Sequence, residues 1–333
     1  MNYIILDLEW NQSRCKSNEI KEMPFEIIEI GAIKLDNQKR EIGSFHELIK
    51  PEAYLDLNRV TKTIVHMEIE ELNEGAPFVE TMKRFLEWCG REEYIFCTWG
   101  PLDLLELQRN MKYHNMEPLS LTPIAFLDMQ KLFSRQYEDK KTRRTLEYAV
   151  DFLHIEKDVP FHRAFSDAYY TAKIMTKISE KTQEHISYDV FHIPKQRQQE
   201  IYKVFYDYAK YISREFATKT AAMADREVIS TRCYICNRNL QKQLKWFTSN
   251  GRHYYSISVC PVHGNMKGKI RIRKTEENMY YVVKTLKFIT EEEKAEILSK
   301  REKVSLHRKK GRKMYNQRKN ISSMVAQNKN QIS

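Results

Sequence analysis

The stretch Ile4-Ile5-Leu6-Asp7-Leu8-Glu9-Trp10 decides the reading of this chain. An Ile- and Leu-rich run of this length is a buried strand, and period two puts Asp7 and Glu9 side by side on one face. Adjacent carboxylates in an apolar strand repel and lose hydration, so a strand carries such a pair when a cation compensates it. Phe25 to Leu35 is a second apolar run and Glu41 to Ile49 a third, ended by Pro51. The period then changes. Phe78, Met82, Phe85, Leu86 and Cys89 are spaced for a helix face, with Gly90 as its C-cap. Tyr94 to Trp99 is a fourth strand, Pro101 opens a helix running to about Met111, and Ile124 to Leu127 is a fifth strand. Helical patterns follow at 132–137, 145–153 and 164–178. Three strands and then alternating helices and strands predict an α/β domain with a mixed five-stranded sheet flanked by helices.

Two further sites carry acids. Asp103 falls in the first turn of the helix after Trp99-Gly100-Pro101, where the helix dipole stabilises its charge. His162 and Asp167 frame the start of a helix in which Ala164, Ala168 and Ala172 recur every fourth position, allowing close packing on a sheet. Five helical residues turn about 500°, so the two side chains converge only if His162 lies in the preceding loop and Asp167 in the opening turns. Each site is ordinary alone.

Their order is informative. Asp7-Leu8-Glu9, then Asp103, then His162 with Asp167 resembles the three motifs of the DEDDh family of 3′–5′ exonucleases, over roughly residues 1–185. Asp7 to Asn11 and the segment Leu72-Asn73-Glu74-Gly75-Ala76-Pro77-Phe78 look most like its ERI-1/KapD-type branch. The resemblance implies a ribonuclease H-like sheet and hydrolysis with two Mg2+ or Mn2+ ions about 3.5–4 Å apart. It implies that Asp7 bridges both ions, Glu9 and Asp167 complete the nucleophile-side ion and Asp103 serves the other. His162 would be the general base, a role that imidazole suits near neutral pH. The branch also implies single-stranded 3′ ends as substrate, RNA ahead of DNA; the alternatives are a DNA 3′–5′ exonuclease and a nucleic-acid-binding or regulatory protein that does not cleave. Trp10, Asn11 and Trp99 are candidates for contact with the terminal nucleotide, by stacking or hydrogen bonding.

Composition sets the frame. The 333 residues are 41% hydrophobic and 30% charged, which excludes a wholly disordered chain and a disulfide-stapled miniprotein. There is no uncharged apolar run of about 18 residues, so no membrane span is expected. The first residues lack the basic region of a signal peptide, and the expected location is cytoplasmic. The net charge of +11 is uneven. Residues 1–189 carry −8 (25 Lys+Arg, 33 Asp+Glu), 190–299 carry +9 (20 against 11) and 300–333 carry +10 (11 against 1). An acidic part that holds cations and a basic part that holds polyanions is the expected division.

Cys233-Tyr234-Ile235-Cys236 and Cys260-Pro261-Val262-His263 form C-x2-C and C-x2-H separated by 23 residues (237–259). Three thiolates and an imidazole make a closed tetrahedral set, so one structural Zn2+ in a small zinc-ribbon domain is expected. Around it lie Arg232, Arg238, Lys242, Lys245, Arg252, Lys267, Lys269, Arg271, Arg273 and Lys274, mixed with Trp246, Phe247, Tyr254 and Tyr255, as a nucleic-acid-binding surface would have. The expected organisation is a nuclease domain over 1–185, a connecting helical segment over 186–230, the ribbon over 231–290 and a basic, disordered tail over 291–333.

Overall fold

The computed structural model describes residues 1–65, 67–307 and 309. The chain divides into two compact units, 1–192 and 193–333.

The first unit is built on strands β1 (Asn2–Gln12), β2 (Phe25–Leu35), β3 (Glu41–Leu48), β4 (Tyr94–Thr98), β5 (Ile124–Asp128) and β6 (Ser187–Asp189). Its helices are α1 (Arg59–Val65), α2 (Ile69–Asn73), α3 (Phe78–Cys89), α4 (Leu102–Tyr113), α5 (Met129–Tyr137), α6 (Leu146–Phe152), α7 (Ala164–Lys177) and α8 (Glu180–Gln183). The strand order is β3-β2-β1-β4-β5-β6. β2 and β3 run antiparallel to their neighbours, while β1, β4 and β5 are mutually parallel. This is a mixed α/β, ribonuclease H-like sheet. It has one strand more than expected, because β6 pairs antiparallel with β5 and carries the unit on to His192 instead of 185.

Helices cover both faces of that sheet, which is why β1 and β2 read as nearly continuous apolar runs. On one face Leu6, Leu8 and Ile30 pack under Phe78, Met82 and Phe85 of α3 and Leu104 and Leu107 of α4. On the other, Ile5, Ile33 and Cys97 pack under Leu132 and Phe133 of α5, Val150 of α6 and Ala168 and Ala172 of α7. The register of β1 on β2 slips by one between Glu9 and Trp10, leaving Ile28 as an extra residue that turns into a separate small core with Leu57, Val65 and Met67.

The second unit is an antiparallel six-stranded sheet ordered β7-β8-β12-β11-β10-β9. Its strands are β7 (Ile201–Val204), β8 (Ala209–Ile212), β9 (Gln241–Thr248), β10 (His253–Cys260), β11 (Gly264–Lys274) and β12 (Tyr280–Phe288). Helices α9 (Lys219–Ala224) and α10 (Arg226–Ile229) cap a core of Tyr211, Phe216, Val228, Ile270, Ile272 and Val282. The expected connecting helical segment over 186–230 is therefore strands β6, β7 and β8 followed by the two short helices α9 and α10. Its apolar residues Ile201, Val204, Phe205, Tyr208 and Ile212 have helical spacing, but they fall on two four-residue strands and the turn between them. Their β-branched and aromatic character favours the hairpin, closed where the Phe205 N–H donates to the Tyr208 carbonyl at 2.8 Å. The ribbon is likewise part of a larger sheet. A helix over 291–307, α11, occupies the start of the expected disordered tail and buries Ile297 against Phe247 and Ile257. The basic run 308–313 lies outside the described residues apart from Lys309. No described helix is long and apolar enough to cross a membrane.

Candidate active site and metal centre

Asp7 and Glu9 leave the centre of the sheet on the face covered by α7. Opposite them across the β1–β2 ladder are Gly31, partner of Asp7, and Glu29, partner of Glu9. Gly31 explains how α7 reaches the acids. A Cβ there would lie 2.1 Å from the Ala164 carbonyl carbon and the Phe165 nitrogen, so the first turn of α7 rests directly on the β2 backbone. Asp167, in that turn, joins Asp7 and Glu9. Ligand oxygens of the three lie within 4.8 Å of one another.

His162 sits in the loop before α7, in the left-handed conformation at φ 65°, and its ring is exposed. Its backbone N–H donates to Asp167 Oδ1 at 3.3 Å, tying the loop to the acid cluster. Asp103 lies in the first turn of α4 and is 6% exposed. It stands outside the three-acid group, but among the charges acting on Asp7 it is the strongest, and the Leu8 backbone N–H reaches its carboxylate.

Crowding shows in the protonation of these acids. Burial, then the charges of Asp103, Asp167, Glu9 and Glu29, hold Asp7 well above the usual carboxylate range. Burial and the same neighbours push Glu9 up to about 8, against a partial offset from Arg163. Burial pushes Asp103 up to about 7. It pushes Asp167 up to about 6 against the pull of His162. Such a set ionises fully only around positive charge, and an all-oxygen donor set suits a hard cation such as Mg2+ or Mn2+.

Reading of the sequence missed Glu29. It is fully buried, accepts from Arg163 Nε at 3.1 and 3.2 Å and pairs with His46 Nε2 at 2.6 Å. Burial pushes its carboxyl up, but these partners more than offset that and hold it below the ordinary glutamate value. The available signal was a lone charge inside Ile27-Ile28-Glu29-Ile30, in a strand apolar on both faces.

The three suggested nucleotide contacts fare differently. Asn11 is 0% exposed, and its amide is spent on the loop over 54–58. It donates to the Tyr54 and Asp56 carbonyls at 2.9 and 3.0 Å and accepts from the Asn58 N–H at 2.9 Å. In this structure it anchors that loop. Trp10 packs on Phe25 beside the core under α3 and α4, 5.6 Å between ring centres. Trp99 packs on Phe133 and donates from Nε1 to the Arg144 carbonyl at 3.2 Å. Both indoles remain partly exposed.

In the second unit, Cys233 and Cys236 stand in the loop before β9, Cys260 closes β10 and His263 stands in the β10–β11 turn. The four converge. The separations are 3.6 Å from Cys233 Sγ to His263 Nδ1, 3.4 Å from Cys260 Sγ to His263 Nδ1 and 3.7 Å from Cys236 Sγ to Cys260 Sγ. A tetrahedron with Zn–S of about 2.3 Å and Zn–N of about 2.0–2.1 Å has edges of about 3.8 Å (S–S) and about 3.6 Å (S–N). The three separations match the edges zinc requires, and all four donor atoms lie within 4.8 Å of one another. Burial pushes the Cys260 thiol up, but the Val262 and His263 backbone N–H groups, with the His263 ring and Cys236, bring it down to about 6, toward the thiolate that binds metal.

The RNase_T family model, described as an exonuclease, matches residues 4–175. The chain is 23% identical over 187 residues to the probable 3′-5′ exonuclease KapD of Bacillus subtilis (strain 168), covering 55% of this chain and 86% of that protein. It is 27% identical over 184 residues to the PolC-type DNA polymerase III of Caldanaerobacter subterraneus subsp. tengcongensis, again 55% of this chain but 12% of the polymerase. Among solved structures, the nuclease domain of 3′hExo, a DEDDh family member bound to rAMP, aligns with TM-score 0.48 at 18% identity, over 56% of this chain and 96% of that one. E. coli Exonuclease I in complex with a dT13 oligonucleotide aligns with TM-score 0.44 at 14% identity, over 55% of this chain and 41% of that one.

Proposed function

We propose, for a chain that belongs to the RNase_T exonuclease family and is a 3′–5′ exonuclease of the DEDDh type, that it trims single-stranded 3′ ends, RNA ahead of DNA. The observation that carries this reading is the meeting of Asp7, Glu9 and Asp167 within 4.8 Å, with the His162 loop bonded to Asp167.

Asp7, Glu9, Asp103 and Asp167 would hold two Mg2+ or Mn2+ ions. When bound, such ions neutralise charge on the attacking and leaving oxygens of the phosphodiester. His162 takes the proton of the attacking water as general base, from a loop with room for the ring to move. Asp167 keeps that loop at the acids, and Glu29 holds Arg163, the next residue along. The preference for RNA rests on the resemblance of the Asp7–Asn11 and Leu72–Phe78 segments to the ERI-1/KapD-type branch. The polymerase match favours the second reading, a DNA exonuclease. The Cys233, Cys236, Cys260 and His263 set is read as a structural Zn2+ site.

The test uses 5′-labelled single-stranded RNA and DNA of one sequence with Mg2+ or Mn2+. A ladder shortening from the 3′ end, absent in Asp7→Ala and His162→Ala and lost without divalent cation, is expected, with RNA degraded faster. Faster DNA cleavage would replace RNA by the second reading. Cleavage surviving Asp7→Ala would overturn the assigned chemistry.

A further inference from the structure

The second unit carries a cleft of about 430 Å3 that the nuclease reading does not use. It is lined by Lys219 of α9, Arg252 before β10, Arg271, Arg273 and Lys274 of β11, and Tyr280 of β12. All five cations are exposed, and none forms an ion pair with a carboxylate among the described residues. Five positive charges around one concavity repel each other, and a polyanion relieves that repulsion.

From these observations we propose that the cleft binds the phosphodiester backbone of a single-stranded nucleic acid, as a site for the body of the strand distinct from the four catalytic carboxylates. The choice of a nucleic acid over other polyanions rests on the exonuclease reading and on three local features. The first is pitch. Lys269, Arg271 and Arg273 alternate with buried Ile270 and Ile272 along β11, so their side chains leave one face about 6.8 Å apart. A row of cations with so short and regular a step suits successive phosphates of a strand. The second is the guanidinium fork of Arg252, Arg271 and Arg273, which takes two phosphate oxygens at once. The third is Tyr280, partly exposed in the same cleft with Lys219 Nζ 5.7 Å from its ring centre, a flat surface on which a base can stack.

The local field agrees with this assignment. Burial and the charges of Lys269, Arg271 and Arg252 push the His253 imidazole, which also lines the cleft, below its ordinary value. A lipid surface is less suited, because the lining offers no exposed aliphatic side chain to enter a bilayer.

The test uses the full chain without added Mg2+ or Mn2+, with 5′-fluorescein-labelled oligouridylate and oligothymidylate followed by anisotropy across a salt series. Arg271→Gln/Arg273→Gln is compared with the unmodified chain, with zinc content and thermal unfolding confirming that the variant is folded. Binding weakened several-fold, with the log–log salt slope shallower by about 1.4 for two lost single-strand contacts, is expected. Equal affinity and slope would overturn the proposal. So would tighter binding, sensitive to the same change, to anionic phosphatidylglycerol vesicles or to polyglutamate. Hydrolysis of a p-nitrophenyl mononucleotide ester, too small to span two sites, should be the same in both proteins. A chain that binds oligonucleotide through these arginines and cleaves neither probe keeps this inference and loses the exonuclease reading. One that cleaves both without using the arginines does the reverse.

Discussion

Arg163 donates from Nε to both carboxylate oxygens of Glu29, at 3.2 and 3.1 Å, across 134 residues of sequence. Arg163 is the residue between His162 and the first helical residue of α7, so this pair fixes where the His162 loop meets the sheet. Glu29→Ala and Arg163→Ala should each lower turnover by about 10- to 100-fold, the range typical of groups that orient catalytic ligands. The double variant should lose little more than either single one, because both remove one contact. Additive losses in kcat would show that the two residues act separately.

Gly31→Ala places a methyl group in the backbone of Ala164 and Phe165. Nothing there is the far end of a flexible side chain, so α7 must shift. A cost of about 1–3 kcal/mol is expected, with a lower Tm and a loss of activity as Asp167 moves from Asp7. Thermal unfolding and a rate assay on one preparation check both. Unchanged values in both would mean that α7 does not rest on β2.

Asn11→Ala distinguishes an anchor from a substrate contact. Removing the amide strands the Tyr54 and Asp56 carbonyls and the Asn58 N–H, and stability should fall by about 1–3 kcal/mol. KM for an oligonucleotide, measured well below the new Tm, should stay where it was. A raised KM with unchanged stability would restore the nucleotide contact.

Elemental analysis of untagged protein should find about one zinc per chain, lost in Cys233→Ser/Cys236→Ser. A chelator should lower the unfolding temperature of the second unit, since four protein donors make the ion structural. A metal-free protein that unfolds at the same temperature would exclude the site.

Asp225 caps α10 through the Glu227 and Val228 N–H groups and receives Arg214 Nη2 at 2.9 Å. Burial raises its carboxyl, but these donors win and hold it below the ordinary aspartate value. A group depressed on folding stabilises above its unfolded pKa, and that contribution fades as pH falls through the folded one. Asp225→Asn should therefore cost about 1–2 kcal/mol at pH 7, with the gap from the unmodified chain closing below about pH 3.9. Denaturant melts at several pH values would show it. A gap independent of pH would assign the effect to packing.

Much of the first unit was legible because its signals are local. β1 and β2 are buried on both faces and read as apolar runs, and α3 shows its period in Phe78, Met82 and Phe85. The acids stood out because a charge inside such a run needs a reason. Asn11 was illegible for the opposite reason. Its partners arrive from a loop more than forty residues away, which no period in the strand announces. Glu29 gave the same signal as Asp7, but its partners, His46 and Arg163, lie on separate elements and complete it only in three dimensions. The β7–β8 hairpin was misread because four-residue strands joined by a tight turn imitate helical spacing. Cys233, Cys236, Cys260 and His263 were readable at a distance, since metal ligands are chemically distinctive wherever the chain puts them.

The acids and the histidine differ in what holds them. Asp7 and Glu9 belong to the central strand, and Asp103 and Asp167 to the opening turns of helices, whereas His162 hangs in a loop at φ 65°. That loop meets the sheet through two contacts, the His162 N–H on Asp167 and Arg163 on the buried Glu29, which can part without opening β1. Were His162 the base proposed above, warming that parts those two contacts should silence the enzyme before the unit comes apart, which activity and unfolding followed on one temperature ramp would check.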